Sequence, residues 1–330
     1  MGARCSRSRA ALLVAVLAAA IGIGCGKTNS TTGISACDTG GLHLIAFASD
    51  RNQAAGQCDI YLYDMDGSGF RLLRNLNGPA VADSTPALSS DGLFIAFVSV
   101  RGTSGADIWL YDRSRCAVSP IPGVNTSGDE TQPVFTGDGL RLAFVRDTLG
   151  RHQIRLINGL NLNYSFVPLP GLDTTATASD WSPAPDRTGG AIAFVSDRDG
   201  GPDIFVYDRS GDSLISLPGL NSPADDLEPT LTPDAHWMCF ASNRAGGDGG
   251  YDLYLYDLTT RTLVALPNLN SAFDERRPSI SPNGNVIAFQ TARGGTGWDV
   301  LYYSRSGSLL ANPAPLASAG SDLHPSLRYP

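Results

Sequence analysis

The chain has 330 residues, of which 17% are charged, with 37 Gly, 21 Pro and a formal charge of −8. That acidity speaks against a nucleic-acid backbone as partner, because phosphate binding needs clustered cations. Lys27 is the single lysine, so the body of the chain has no ammonium nucleophile or Schiff-base residue, and its Gly- and Pro-rich make-up suits a turn-rich β protein.

At the N-terminus, residues 10–23 (AALLVAVLAAAIGI) follow Arg4, Arg7 and Arg9 and precede Cys25. A basic start and an apolar stretch too short for a comfortable membrane span predict a signal peptide over 1–24. The run ends in GIGC and passes into the polar GKTNSTTG, which resembles a bacterial lipobox with Gly22 in the usual Leu place. The resemblance implies that Cys25 is acylated and heads a lipidated linker, 25–36. Gly26 after the Cys implies the outer membrane, facing the periplasm. The alternative is cleavage after the Ala18–Ala20 run, giving a soluble periplasmic or secreted protein. Cleavage before Cys25 removes three Arg and no acid, taking the charge from −8 to −11.

From residue 37 the chain repeats itself. The Phe of an "AF" pair recurs at Phe47, Phe97, Phe144, Phe194, Phe240 and Phe289, with gaps of 46 to 50 residues. A period of about 40–50 residues fits a four-stranded propeller blade. Blade five shows the four predicted strands: PTLTPD (229–234), HWMCFAS (236–242), DLYLYDL (252–258) and TLVALPNL (262–269). The third alternates and is rich in strand formers. Blade one has no inner strand before GLHLIAFASD. The C-terminal SDLHPSLRYP carries Pro325, which matches Pro86, Pro133, Pro229 and Pro278. The expectation is therefore an all-β, six-bladed β-propeller over 37–330, closed by the C-terminal strand pairing into blade one. Closure removes the exposed sheet edges.

The phrase PxLSxDGxxIAFxSDRxGxxDIYLYD resembles the TolB-type β-propeller repeat, a relative of the WD-type blade. The resemblance covers nearly all of 37–330. It implies the fold and leaves the activity open. The α/β domain that precedes the propeller in TolB has no counterpart before Cys37, so a Tol–Pal role is not expected. No G-x-S-x-G elbow of a prolyl-oligopeptidase-like hydrolase occurs either.

Within the repeat, Ala46, Ala96, Ala143, Ala193 and Ala288 precede the Phe, with Cys239 in blade five. A small residue there lets blades approach, and Cys239 reads as a buried thiol packing as a small hydrophobe. Four places after the Phe stand Arg51, Arg101, Arg198, Arg244 and Arg293, and the third strand opens with Asp59, Asp107, Asp203, Asp252 and Asp299. Blade three lacks both, having Thr148 and Gln153. Their joint loss predicts a structural Arg–carboxylate clamp between these two positions.

Three residues before the inner-strand Pro stand Asp83, Glu130, Asp226, Glu275 and Asp322, with Ala178 read as the blade-four equivalent. They serve either as turn chemistry or as an acidic ring at the channel mouth that attracts a cation or a basic peptide. The four His show no ligand spacing, and DMDGSG (64–69) reads as a turn. Cys37, Cys58 and Cys116 are candidates for a disulfide, with no pairing preferred.

The expectation is a non-enzymatic envelope lipoprotein acting as a protein-binding or scaffolding propeller. Its partner would be another envelope protein or basic peptide, with membrane contact only through the lipid and no cofactor. The alternatives are a carbohydrate- or metal-binding propeller, or a lyase or glycosidase using mouth carboxylates.

Overall fold

A computed structural model describes residues 37–328, apart from 53–56, 68, 79–80, 103–104, 160–163, 173–176, 294–296 and 317. Cys25, the predicted signal peptide and the linker lie outside the described residues. Blade one contains β1 (Leu44–Ser49), β2 (Asp59–Asp64) and β3 (Gly69–Arg71). Blade two follows with β4 (Asp83–Leu88), β5 (Phe94–Ser99), β6 (Asp107–Asp112) and β7 (Ala117–Pro120). Blade three has β8 (Glu130–Phe135), β9 (Arg141–Thr148), β10 (Arg151–Asn158) and β11 (Ser165–Val167), and blade four β12 (Asp180–Pro185), β13 (Ala191–Ser196), β14 (Asp203–Asp208) and β15 (Ser213–Ile215). Blade five has β16 (Asp226–Leu231), β17 (Trp237–Ser242), β18 (Asp252–Asp257) and β19 (Thr262–Val264). Blade six has β20 (Glu275–Ile280), β21 (Val286–Thr291), β22 (Asp299–Ser304) and β23 (Leu309–Ala311), and the chain ends in β24 (Asp322–Arg328).

These strands form six four-stranded antiparallel sheets, one of which has the order β24-β1-β2-β3. The ring therefore closes as the sequence predicts. The described residues contain no helix.

The core sits between blades. Ala96 packs in one cluster with Phe135 and Leu142 of the next blade, while Phe97 packs in another with Leu44 and Ala46 of the preceding one. Cys239 and Phe240 divide in the same way, towards blades six and four. Successive residues of a strand point to opposite sheet faces, so one Ala-Phe pair serves two interfaces. Cys239 is fully buried, and desolvation pushes its thiol well above the ordinary value, as expected of a small core residue.

Every inner strand breaks register just before its Pro. A proline has no N–H for the ladder, and the chain answers with a bulge. At each bulge the residue before Pro takes a left-handed conformation: Thr85, Gln132, Ser182, Glu228, Arg277 and His324 have φ between 43° and 55°. For a residue with a Cβ this backbone costs about 1–2 kcal/mol.

The disulfide that the sequence left open joins Cys37 to Cys116, 79 residues apart, and Cys58 is free. Cys116 lies in the β6–β7 turn, where Arg113 is almost fully buried. Its guanidinium donates to the carbonyls of Gly40 and Gly92, so bond and cation together hold the N-terminal segment on blade two. Closing a loop of this length stabilises by about 2–4 kcal/mol. Reduction should lower the melting temperature by roughly 5–15 °C at two to four degrees per kcal/mol, read by calorimetry with and without reductant.

Candidate functional site

The repeated arginines and acids meet, but in a different pairing from the one predicted. Arg51 pairs with Asp322, Arg101 with Asp83, Arg198 with Asp180, Arg244 with Asp226 and Arg293 with Glu275. Blade three completes the set with Arg146 and Glu130, and the six N···O distances are 2.5–2.9 Å. Each acid opens an inner strand directly beside the end of the neighbouring second strand, as in the register Asp226↔Ser242. An arginine two residues past that end is therefore close to the acid.

The third-strand acids Asp59, Asp107, Asp203, Asp252 and Asp299 are thus not the clamp partners. Asp252 instead accepts the backbone N–H groups of Asp248 and Gly249 and folds the Gly-rich loop over itself. A Cβ on Gly102 or Gly247 would come within 2.2 Å of the Asp107 or Asp252 carboxylate, so a larger residue there would push that side chain aside. In blade four, the strand Asp180–Pro185 puts Asp180, not Ala178, in the repeated acidic place.

Each guanidinium is fixed on several sides. Arg244 donates Nε to the Ser242 hydroxyl and Nη2 to Asp226 and to the Leu220 carbonyl, which belongs to the connection from the preceding blade. Its carbon lies 5.1 Å from the centre of the Phe240 ring and 4.7 Å from that of Tyr254. Arg101 and Arg198 repeat the arrangement with Leu76 and Leu172. The arginine is a staple between blades, combining ion pair, stacking and carbonyl recognition.

The consequence for the acids is direct. Their side chains are 0–1% exposed. Asp83, Glu130, Asp226, Glu275 and Asp322 therefore do not form a solvated acidic mouth, and each spends its charge on an arginine. Burial raises Asp83 and Asp322 above the ordinary carboxylate range, against the hydrogen bonds from Ser99 and Arg101, and from Arg51 and Ser49. Among the described residues, no group of three or more His, Cys, Asp or Glu is placed to hold a metal.

The channel is lined by other residues, which lie two places further along each inner strand. The six left-handed positions and their prolines surround a cavity of about 150 Å³. This ring lies roughly 7 Å inside the arginine-bearing face, at about 3.3 Å per residue. Around the ring, in blade order from one to six, the residues are His324, Thr85, Gln132, Ser182, Glu228 and Arg277. Six equivalent places hold six different polar side chains. Three of the ring's backbone N–H groups are captured across blade boundaries: Ser182 donates to Gln132 Oε1, Arg277 to Glu228 Oε2 and His324 to Gln290 Oε1.

Glu228 is the one carboxylate on the ring, and Arg276 neutralises it through Nη2 at 2.9 Å while stacking on Tyr251. His324 Nδ1 has no hydrogen-bond partner. Burial, and then the neighbouring Arg277 charge, hold this imidazole well below its ordinary value. As pH falls through about 6.5, the unfolded chain takes up a proton that the folded throat refuses. Stability contributed by the neutral ring is complete above that pH and lost below it, by up to about 1.4 kcal/mol per pH unit. His324→Gln, which copies the blade-three residue, should have a shallower fall in urea midpoint between neutral and mildly acidic pH. Parallel pH profiles for the two proteins would contradict this.

Comparison with known proteins agrees with this architecture. The family model of the TolB beta propeller domain matches residues 41–313. The crystal structure of TolB from Acinetobacter baumannii superposes with a TM-score of 0.66 at 23% identity, covering 88% of this chain and 68% of that one. A TolB-like structure from Agrobacterium tumefaciens gives 0.59 at 13%, covering 88% and 99%. An oligogalacturonate lyase in complex with manganese gives 0.52 at 15%, covering 74% and 70%. At these identities the likeness to solved structures shows the fold alone. No curated protein matches the chain.

Proposed function

The chain belongs to the TolB β-propeller domain family, and from that premise we propose that it is a non-catalytic binding module of the bacterial envelope. The observation that carries this reading is the division of labour in the repeat. The six repeated carboxylates are each committed to an arginine, whereas the throat residue differs in every blade. Acid–base catalysis asks for carboxylates that reach the substrate, as a lyase or glycosidase working from the mouth acids would need. A ring of different polar side chains lining a channel suits recognition.

The partner of this reading is another envelope protein that docks on the arginine-bearing face, over the channel. A basic peptide or a cation held by an acidic mouth loses its basis, because the acids are buried. The Cys37–Cys116 disulfide suits an oxidising compartment, and the sequence around Cys25 suits a lipid anchor in the outer membrane. Cys25→Ser should move the protein from the membrane fraction to the soluble periplasm, and a wild type already soluble after lysis would remove the anchor.

The test of the binding reading is chemical crosslinking in the intact envelope, with crosslinks mapped by mass spectrometry. Reproducible crosslinks from one envelope protein to the second-to-third strand loops support it. Turnover of an envelope polysaccharide without a stable partner would overturn it.

A further inference from the structure

The ring around the throat is uneven in how its polar groups are used. On one arc, Gln132 accepts from Ser182, and Glu228 accepts from Arg276 and from the Arg277 backbone. The other arc runs through Arg277, His324 and Thr85, on three consecutive blades, and its side chains are only partly engaged. The closest approach between the Arg277 guanidinium and a carboxylate is Nε to Glu228 Oε1 at 3.5 Å, beyond an ordinary charge-assisted bond. Neither Nη atom of Arg277 has a hydrogen-bond acceptor among the described residues, and the side chain is 39% exposed in the channel. His324 Nδ1 and Thr85 Oγ1, both buried, are also without partners.

Charge points the same way. Glu228 pairs with Arg276 and, more loosely, with Arg277, so the two arginines leave one positive charge in excess at the throat. Desolvation holds its guanidinium below the ordinary value. A cation in that position gains from an anion brought to it, because the low-dielectric walls strengthen the attraction. The left-handed backbone at Arg277, with φ of 51°, holds the residue on the ring at an energetic cost.

We propose that the throat is an oxyanion site, in which Arg277, flanked by His324 and Thr85, receives a single carboxylate or similarly small oxyanion. The guanidinium supplies a planar two-pronged donor for two oxygens of the ligand. A neutral imidazole carries one N–H and the hydroxyl supplies another donor, and both complete the anion's shell once they turn from their buried positions toward the channel. The cavity of about 150 Å³ has room for a carboxylate group and is too small for a folded partner. The anion is therefore either a free small solute or the carboxylate of a chain that enters the channel. The second source rests on the reading of the channel as the place of binding; the first does not.

The experiment uses the mature protein without its partner, so it stands apart from the crosslinking test. Acetate and inorganic phosphate are titrated at constant ionic strength, following the Arg277 Nε–H and His324 ring resonances by NMR. Saturable shifts are expected in the wild type, with affinity at least about tenfold weaker in Arg277→Gln. Arg277→Lys keeps the charge but loses the fork. It should fall between the two, and it provides the comparison if the Gln variant does not fold. A short peptide with a free C-terminus, compared with its amide, separates the sources. Tighter binding of the free acid supports a chain end, and equal binding beside saturable acetate supports a free solute. Unmoved wild-type resonances, or wild-type affinity in both variants, would overturn the site.

Discussion

Deleting residues 321–330 is expected to abolish cooperative folding. The segment supplies β24, the inner strand of blade one, which pairs with β1 from Leu44 to Ser49. It also carries Asp322, whose loss leaves Arg51 buried over Phe47 and Tyr61 without its carboxylate. An orphaned buried ion costs about 3–5 kcal/mol. Arg328 donates to the carbonyls of Gly41, Leu42 and Ser90, and Ser326 accepts the Leu88 N–H, so blades one and two lose four further bonds. At about 1 kcal/mol each, these bring the total to roughly 7–9 kcal/mol, most of the stability of an ordinary domain. Calorimetry of the truncated chain should show no sharp transition. A melting temperature equal to that of the full chain would mean that the ring closes elsewhere.

The second large effect is expected from Arg244→Ala. The substitution leaves the fully buried Asp226 charged and unpaired and frees the Leu220 carbonyl. It also removes the stacked layer over Phe240 and Tyr254. A loss of about 3–5 kcal/mol is expected from urea denaturation. The double variant Arg244→Met with Asp226→Leu, which takes away both charges and keeps volume, should recover much of it. Because the staple joins blades four and five, the single variant should expose that interface first, and amide exchange in β16 and β17 should accelerate before exchange in blade one. Uniform acceleration around the ring would speak against a local staple.

The fold was legible because the chain writes its blade six times and omits the inner strand only at the start. Blade number, the closing strand and the Ala-Phe division of the interfaces all follow from spacing and strand alternation. The staple was half legible. Arginines and acids stood out, but blade three misled the pairing, since Thr148 and Gln153 replace both members expected there. The arginine of that blade is Arg146, two residues earlier, where other blades have Ser49, Ser99, Ser196, Ser242 or Thr291, and its guanidinium still reaches Glu130 and the Val124 carbonyl. Side-chain reach makes the two positions equivalent in space though not in the repeat.

The throat was missed for the opposite reason. Thr, Gln, Ser, Glu, Arg and His at one repeat position look like noise beside invariant neighbours, and only the bulge before each Pro shows that they share a ring. One signal was available: the place where copies of a repeat disagree, next to a proline on which all six agree, is free of the architectural constraint. The disulfide was beyond sequence because residues 37–43 cross to the turn of a neighbouring blade, a tertiary fact that spacing does not carry.

The repeated carboxylates are structural, and recognition lies elsewhere on the propeller. The most direct measurement is one neutralising series, Asp83→Asn, Glu130→Gln, Asp180→Asn, Asp226→Asn, Glu275→Gln and Asp322→Asn, with stability by urea and calcium binding by calorimetry on each member. Every member should lose stability, by about 1–3 kcal/mol for a charge-assisted bond weakened in a buried site, and the wild type should give no saturable calcium heat. Six variants as stable as the wild type, with a calcium isotherm that weakens step by step through the series, would contradict this.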